Sequence, residues 1–267
     1  MAYVNPSTQS LKTCFQSHYS LPYFQREYKW ESRHFAELLD DIQAAFLLNY
    51  DPAHGRKEVA DYAPYFLGSI ITSAEQGGKK PLIDGQQRLT SAFLLLAYLE
   101  RYRKDHGVAN ALDLSTYLGS VSFGAMDYAI EFSDSRKAIF HRYLDTTRTV
   151  AQAMDDAEDV ADLDDGDRRL LEALRTTDTL LNASVKAAVA YFIDYVVERV
   201  LLIDISVNSE SEAHRVFVTM NDRGLRLGPI DLLKGQILSK IPNAADSQSC
   251  HAIWVQTINK LRALGNE

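Results

Sequence analysis

Apolar positions along the chain change their spacing several times, and each change marks an element. From Glu31 onward Phe35, Leu38, Leu39, Ile42, Ala45 and Phe46 recur at helical spacing through ESRHFAELLDDIQAAFLLNY, which predicts an amphipathic helix with its acids on the outer face. The aromatic and β-branched run YFLGSIITS, residues 65–73, predicts a buried strand. AEQGGKK is its connection and PLI a second short strand, together a hairpin. LTSAFLLLAYLERYRKDHG is apolar nearly all round and predicts a helix at the centre of the core. Arg101, Arg103, Lys104 and His106 then read as C-terminal charges and Gly107 as the stop. VLLIDISV, residues 200–207, is the strongest buried-strand pattern. SEAHRVFVTM and PIDLLKGQILSKI predict two helices around the loop NDRGLRLG, the second with Pro229 near its first turn.

Between these elements the pattern weakens. SHYSLPYFQREYKW, residues 17–30, reads as a strand or extended arm entering an ordered loop, and DPAHGRKEVADYAP as a loop. Residues 109–195 are mostly helical by pattern. They contain DDAEDVADLDDGD, where eight of thirteen residues are acidic, which predicts a solvated loop rather than a metal site because like charges repel. The order of elements predicts an α+β fold, a small mixed sheet with a large helical insertion. The core is expected over about 10–107 and 196–242 and the insertion over about 108–195, making a domain of residues 1–242. Residues 243–267, with a helical period at Ile253, Val255, Ile258 and Leu261, read as the start of a following segment. Its apolar face would promote association of two copies if left uncovered.

Composition narrows the classes. With 267 residues, 46% apolar, the chain can bury a sizeable core. The longest apolar run, Ala92 to Leu99, is far short of the roughly 20 residues of a membrane span. The start, MAYVNPSTQS, lacks the segments of a secretory signal, so no membrane association and a cytoplasmic location are expected. Cys14 and Cys250 lack CxxC spacing and are expected to be buried or incidental thiols. A net charge of −8 argues against a broad nucleic-acid surface, since duplex affinity rests on Lys and Arg facing phosphates. There is no G-x-x-x-x-G-K-[ST], G-x-G-x-x-G or H-E-x-x-H, which disfavours a P-loop ATPase, a Rossmann enzyme and a zincin.

The candidate chemistry lies in LIDGQQRLTS, residues 82–91. Asp84 as N-cap and Gln87 three positions later make a capping box, and Gly85 eases the entry. A helix start does not require Gln86 or Arg88, and a helix N-terminus also attracts anions. Two further loops group polar residues beside large apolar ones: Gln25, Arg26, Tyr28, Lys29 and Trp30 before the first helix, and Asn221, Asp222, Arg223, Gly224 and Arg226 after another. Each has a plain reading, as an arm packed on the core and as a glycine helix cap, and Lys234 reads equally as a surface lysine. Together, however, Arg26, Lys29, Arg88, Arg223, Arg226 and Lys234 form the cation cluster a polyphosphate needs. Trp30 or Tyr28 would supply a surface on which a base could stack.

The segments LPYFQREYKW…LLDDI, YFLGSIIT, LIDGQQRLTSAFLLL and VFVTMNDRGLRLGPIDLLKGQIL, in this order, resemble the N-terminal domain of GmrSD-type (type IV, modification-dependent) restriction endonucleases over about residues 10–242. The resemblance implies a fold related to the ParB and sulfiredoxin group, with DGQQR similar to the ParB nucleotide-binding arginine motif. It further implies an NTP-binding, Mg²⁺-dependent NTP-hydrolysing domain that regulates an HNH-type nuclease elsewhere in the protein or complex. The biological setting would be phage defence against modified DNA, reached through the full assembly. None of the seven histidines sits in a nuclease-like cluster, so a nuclease module is expected to lie outside this sequence. On this resemblance Asp84, Gln86, Gln87 and Arg88 form the catalytic set. The glutamines would orient water, and Asp84 would hold Mg²⁺ or act as base. Gln25, Arg26, Tyr28, Trp30, Gly68, Ser69, Gly85, Thr90, Asn221, Arg223, Gly224 and Lys234 form the nucleotide-binding set. One departure is Gly228 before Pro229, where the family often carries a hydroxyl residue. Two other readings stay open: a non-catalytic sensor of nucleotide or modified DNA, marked by binding without turnover, and a direct DNA-binding or nuclease domain, marked by steeply salt-dependent DNA binding.

Overall fold

The computed structural model describes residues 4–21, 28–122, 124–209, 212–213 and 215–217, with eight isolated positions between Asp246 and Lys260. In chain order the elements are β1 (Asn5–Ser10), α1 (Leu11–Cys14), β2 (Tyr19–Ser20), α2 (Ser32–Leu47), a 3-10 helix (Arg56–Asp61), β3 (Tyr65–Ser73), β4 (Lys80–Asp84) and α3 (Gln86–Asp105). There follow α4 (Ser115–Leu118), β5 (Gly119–Ser122), β6 (Ala125–Tyr128), α5 (Asp134–Leu144), α6 (Val150–Glu158), α7 (Asp165–Leu180), α8 (Ala183–Ala187), α9 (Val189–Arg199) and β7 (Val200–Val207). The main sheet runs β1-β7-β3-β4-β2, and β5 and β6 form a separate hairpin. Strand β7 pairs antiparallel with β1 and parallel with β3, β3 pairs antiparallel with β4, and β4 pairs parallel with β2. This is the expected α+β architecture with a small mixed sheet.

The two faces of the sheet are unequal. One carries the main core, to which α2, α3 and α9 contribute Phe35, Phe46, Phe93, Leu95, Phe192 and Val196. The other holds a small cluster of Ile71, Ile83, Val207, Ala213 and Phe217. Period-2 alternation sends Val200 and Leu202 of β7 to the first and Val207 to the second. Asp204 of β7 is also buried, where its carboxylate accepts from Thr72 Oγ1 at 2.7 Å and Gln9 Nε2 at 3.3 Å.

Helix α3 is buried at every position from Leu89 to Arg101. A helix apolar all round needs cover all round, and it has β3 on one side and α4, α5 and α7 on others. Each of its large apolar side chains contributes about 1.5–3 kcal/mol through burial. Arg101 departs from its expected role as a polar helix-end residue, and its neighbour Glu100 is buried with it. Arg101 is 1% exposed and donates to the backbone carbonyls of Tyr143 at 2.6 Å, Asp145 at 2.9 Å and Arg148, while also pairing with Asp105. Glu100, equally buried, holds Arg103 at 2.8 Å and Lys104 at 3.0 Å and accepts from Leu114 N at 3.0 Å. The C-terminal half of α3 thus organises the turns that follow it.

Two sequence expectations change. The stretch 51–64, read as a loop, contains the 3-10 helix, whose Arg56 pairs with half-buried Asp194 of α9. The acidic run 155–167 is not one solvated loop. Residues 155–158 finish α6 and 165–167 open α7, where Asp164 caps the helix by accepting from Asp167 N at 2.6 Å. Acids at a helix N-terminus are favoured by its dipole and orphan N–H groups, which offsets the repulsion expected from sequence. Cys250 is exposed, whereas Cys14 is buried. Among the described residues no helix is long and apolar enough to cross a membrane.

Two outcomes are expected. Arg101→Ala should lower the unfolding free energy by about 3–5 kcal/mol in urea titrations, because several buried acceptors lose their donor together. Burial pushes the Cys14 thiol up to about 12. Alkylation of native protein near pH 8 should therefore label Cys250 and spare Cys14, and both should react in urea, as read by mass spectrometry.

Candidate functional site

The turn between β4 and α3 is built by close backbone approach. Gly85 has φ +85°, and a Cβ there would lie 2.6 Å from Ile70 Cγ2 and 3.0 Å from the Ser69 carbonyl oxygen. Only glycine meets both the left-handed conformation and the lack of space. Gly85 is therefore the N-cap of α3, and no side chain caps the helix. The capping box expected from Asp84 and Gln87 does not form, because Asp84 is the last residue of β4 and lies one position too early. The half-exposed Asp84 carboxylate has no hydrogen-bond or ion-pair partner among the described residues.

Both glutamines have structural contacts. Gln86 is buried and its Nε2 donates to the Leu82 carbonyl at 3.0 Å, tying the first turn back to β4. Gln87 Oε1 accepts from Lys29 N at 2.7 Å and Trp30 N at 3.2 Å. An irregular segment has backbone donors that no ladder satisfies, and Gln87 satisfies two of them.

Arg88 lies against β3. Its Nη1 donates to the Ser69 carbonyl at 2.6 Å, and a Cβ on Gly68 would fall 3.2 Å from Arg88 Nε. Gly68, at φ +119°, leaves the space the guanidinium fills. A guanidinium has five N–H donors. No carboxylate among the described residues pairs with Arg88, although the chain as a whole carries an excess of acids.

The arm before α2 borders this loop. Tyr28 is buried, its hydroxyl is 2.8 Å from Ser91 Oγ on α3, and burial pushes the phenol up to about 12. Its ring is thus part of the core. Trp30 is half-buried, packs against the core and lies 6.3 Å from the His34 ring. On the far side Arg169 of α7 reaches the Lys29 carbonyl at 3.4 Å, and Gly166 abuts Tyr28.

The structure therefore gathers Tyr28, Trp30, Gly68, Ser69, Gly85, Gln86, Gln87 and Arg88 around one turn, with Asp84 leading into it. Thr90, also expected at the site, is buried on α3. Gln25, Arg26, Asn221, Arg223, Gly224, Arg226 and Lys234 lie outside the described residues. Sequence reasoning missed Ser91, Gly166 and Arg169. For Gly166 the sequence offered no signal, because a glycine inside a run that reads as a loop is unremarkable and its place in the first turn of α7 comes from the structure. Among the described residues no group of three or more His, Cys, Asp and Glu side chains could hold a metal by itself. A lone carboxylate such as Asp84 nevertheless fits Mg²⁺, which keeps waters and is commonly carried by one or two carboxylates together with substrate phosphates.

Two comparisons bear on this arrangement. A family model, described as GmrSD restriction endonuclease, N-terminal domain, matches residues 9–238 of the chain. No curated protein matches it.

Because Asp84 does not cap α3, Asp84→Asn should leave stability within about 0.5 kcal/mol, in the range of surface substitutions. Gly85→Ala, by contrast, should cost about 2–5 kcal/mol from the left-handed conformation and the overlap with Ile70. Thermal unfolding of the two variants side by side checks both.

Proposed function

The chain belongs to the GmrSD restriction endonuclease N-terminal domain family, and from that premise we propose that its β4–α3 turn binds a nucleoside triphosphate and hydrolyses it with Mg²⁺. The observation that carries this reading is Arg88: a partly buried guanidinium at the start of a 20-residue helix that no side chain caps, with no carboxylate to neutralise it among the described residues. A helix start and an arginine fork together suit phosphate oxygens. The glycines at 68 and 85 bring β3 and the turn together tightly enough to fix the arginine in place. In this proposal Arg26, Arg223 and Lys234 supply further positive charge to the phosphates, and Gln25, Trp30, Asn221 and Gly224 supply neutral contacts to the nucleotide. The kinship of the fold with ParB and sulfiredoxin belongs to the same proposal and rests on the likeness of DGQQR.

Phosphoryl transfer needs chiefly positioning and charge stabilisation. In this reading Arg88 holds the phosphate group on which charge develops, and the first turn of α3 supplies dipole and N–H groups to its oxygens. Asp84, which has no capping task, is the residue to hold Mg²⁺ through water or to take the proton of the attacking water. Mg²⁺ supplies neutralisation of phosphate charge when bound. The protein then controls an HNH-type nuclease domain or subunit and, through that assembly, acts on modified DNA in phage defence from the cytoplasm.

A second reading is favoured by a specific observation. The Gln86 and Gln87 side chains hold Leu82 and the arm, so neither is reserved for orienting water. The site would then be a sensor that binds nucleotide without turnover. Direct DNA binding remains the least favoured, given the charge of −8.

Phosphate release from ATP, GTP, CTP and UTP with Mg²⁺, with binding followed by calorimetry, separates these readings. Arg88→Ala should lower turnover about 100-fold or more, the loss seen when one donor to a developing charge is removed, in protein that stays folded by circular dichroism. Binding without turnover by the wild type selects the sensor. Turnover unaffected by Arg88→Ala removes the DGQQR loop from the chemistry.

A further inference from the structure

Between the candidate loop and helices α5 and α7 lies a seam formed by the arm that carries Tyr28 and Lys29. Gly166, in the first turn of α7, comes so close to the arm that a Cβ there would be 2.6 Å from Tyr28 N and 3.0 Å from Tyr28 O. Arg169, one turn on, donates to the Lys29 carbonyl at 3.4 Å. The opposite edge of the arm hangs on α3 through Gln87 and through Ser91. The arm is therefore a thin layer between the helix that starts the proposed phosphate site and a helix roughly eighty residues later in the chain.

The first turn of α7 is held by a buried ion pair. Asp167 is 0% exposed and Arg136 of α5 is 2% exposed, with 2.9 Å between Arg136 Nη2 and Asp167 Oδ1. Ser135 Oγ donates to the other carboxylate oxygen at 2.7 Å. A pair so completely desolvated adds little net stability over apolar packing of the same volume, but it tolerates only one geometry, because any displacement leaves a charge uncompensated. Glycine at 166 has the same character. In a helix alanine is the better former, so what glycine provides at this position is the approach to Tyr28.

We propose that Asp167, Arg136 and Gly166 are positioning residues for the nucleotide loop. They set the height of the arm against α3, and through Gln87 the shape of the loop, so the α5–α7 block controls nucleotide affinity from outside the site. This rests on the phosphate reading of the loop given above. A partner that displaces α7 would alter nucleotide affinity by the same route.

The test uses the whole chain with Trp254→Phe, which leaves Trp30 in the arm as the sole tryptophan. In that background Gly166→Ala is compared with Val59→Ala, a buried position on the 3-10 helix, which packs on α9. Trp30 emission reports the arm, and calorimetry with ATP, GTP, CTP and UTP reports affinity. Gly166→Ala should shift Trp30 emission and weaken binding about tenfold or more. Val59→Ala should lower the melting temperature and leave both readouts unchanged. Should Gly166→Ala fold poorly, Arg169→Ala carries the same comparison, with a smaller shift in the same direction.

Unchanged Trp30 emission in a folded Gly166→Ala protein overturns the positioning role. A shifted arm with unchanged affinity overturns the control of the site, as does an equal loss of affinity in Val59→Ala. If the wild type binds none of the four nucleotides, the proposal falls together with the phosphate reading. A Trp30 shift persisting in that case locates the failure in the site rather than in the seam.

Discussion

Helix α3 is buried from Leu89 to Arg101, so its polar groups can do work only near its ends. Such a helix requires cover on every side, and the chain supplies it from the sheet and from the helices that follow. The consequence at the N-terminal end is the tight turn at Gly85. The helix must leave β4 and fold back against β3 within one residue, and only a left-handed glycine touching Ile70 allows it. Gln86, Gln87 and Arg88 follow directly, each engaged with a different neighbour: β4, the arm and β3.

The C-terminal half of the helix meets the same constraint with the opposite solution. Arg101 and Glu100 bring charge inside, and each is surrounded by groups of the opposite character, backbone carbonyls and Asp105 for the first, cations and a backbone N–H for the second. Buried polar groups are tolerated when satisfied. Arg136 and Asp167 repeat the principle beside the arm. Arg88 differs, since its guanidinium spends one donor on a carbonyl and meets no carboxylate among the described residues. That difference separates Arg88 from the arginines engaged in buried ion pairs. Membership of a restriction-system family places the chain in a defence context.

What could be read from the sequence was whatever depends on local spacing. The amphipathic pattern of 31–50, the all-round apolar run of 89–101, the β-branched run at 200–207 and the hairpin around AEQGGKK each specify an element, because burial repeats at 3.6 or 2 residues whatever the neighbours are. The composition of DGQQR likewise marked the turn as unusual. Its resemblance to a known family was legible because four segments carry residues in a fixed order.

What spacing could not reveal were the contacts between distant segments. Asp84 and Gln87 had the correct separation for a capping box, yet the approach of Ile70, fifteen residues earlier, moved the cap to Gly85. The acid run looked solvated until Arg136, thirty-one residues away, took Asp167 into the interior. Gln87, Ser91, Gly166 and Arg169 all hold one short arm, but nothing in their local sequence names that common partner. The sequence by itself determined the elements, their order and the polar cluster worth examining, since those follow from each residue's own preference for water or for neighbours along the chain. Only the tertiary structure decided which polar groups are satisfied by partners among the described residues and which are not, because satisfaction depends on atoms that the fold, not the chain, brings within hydrogen-bonding distance.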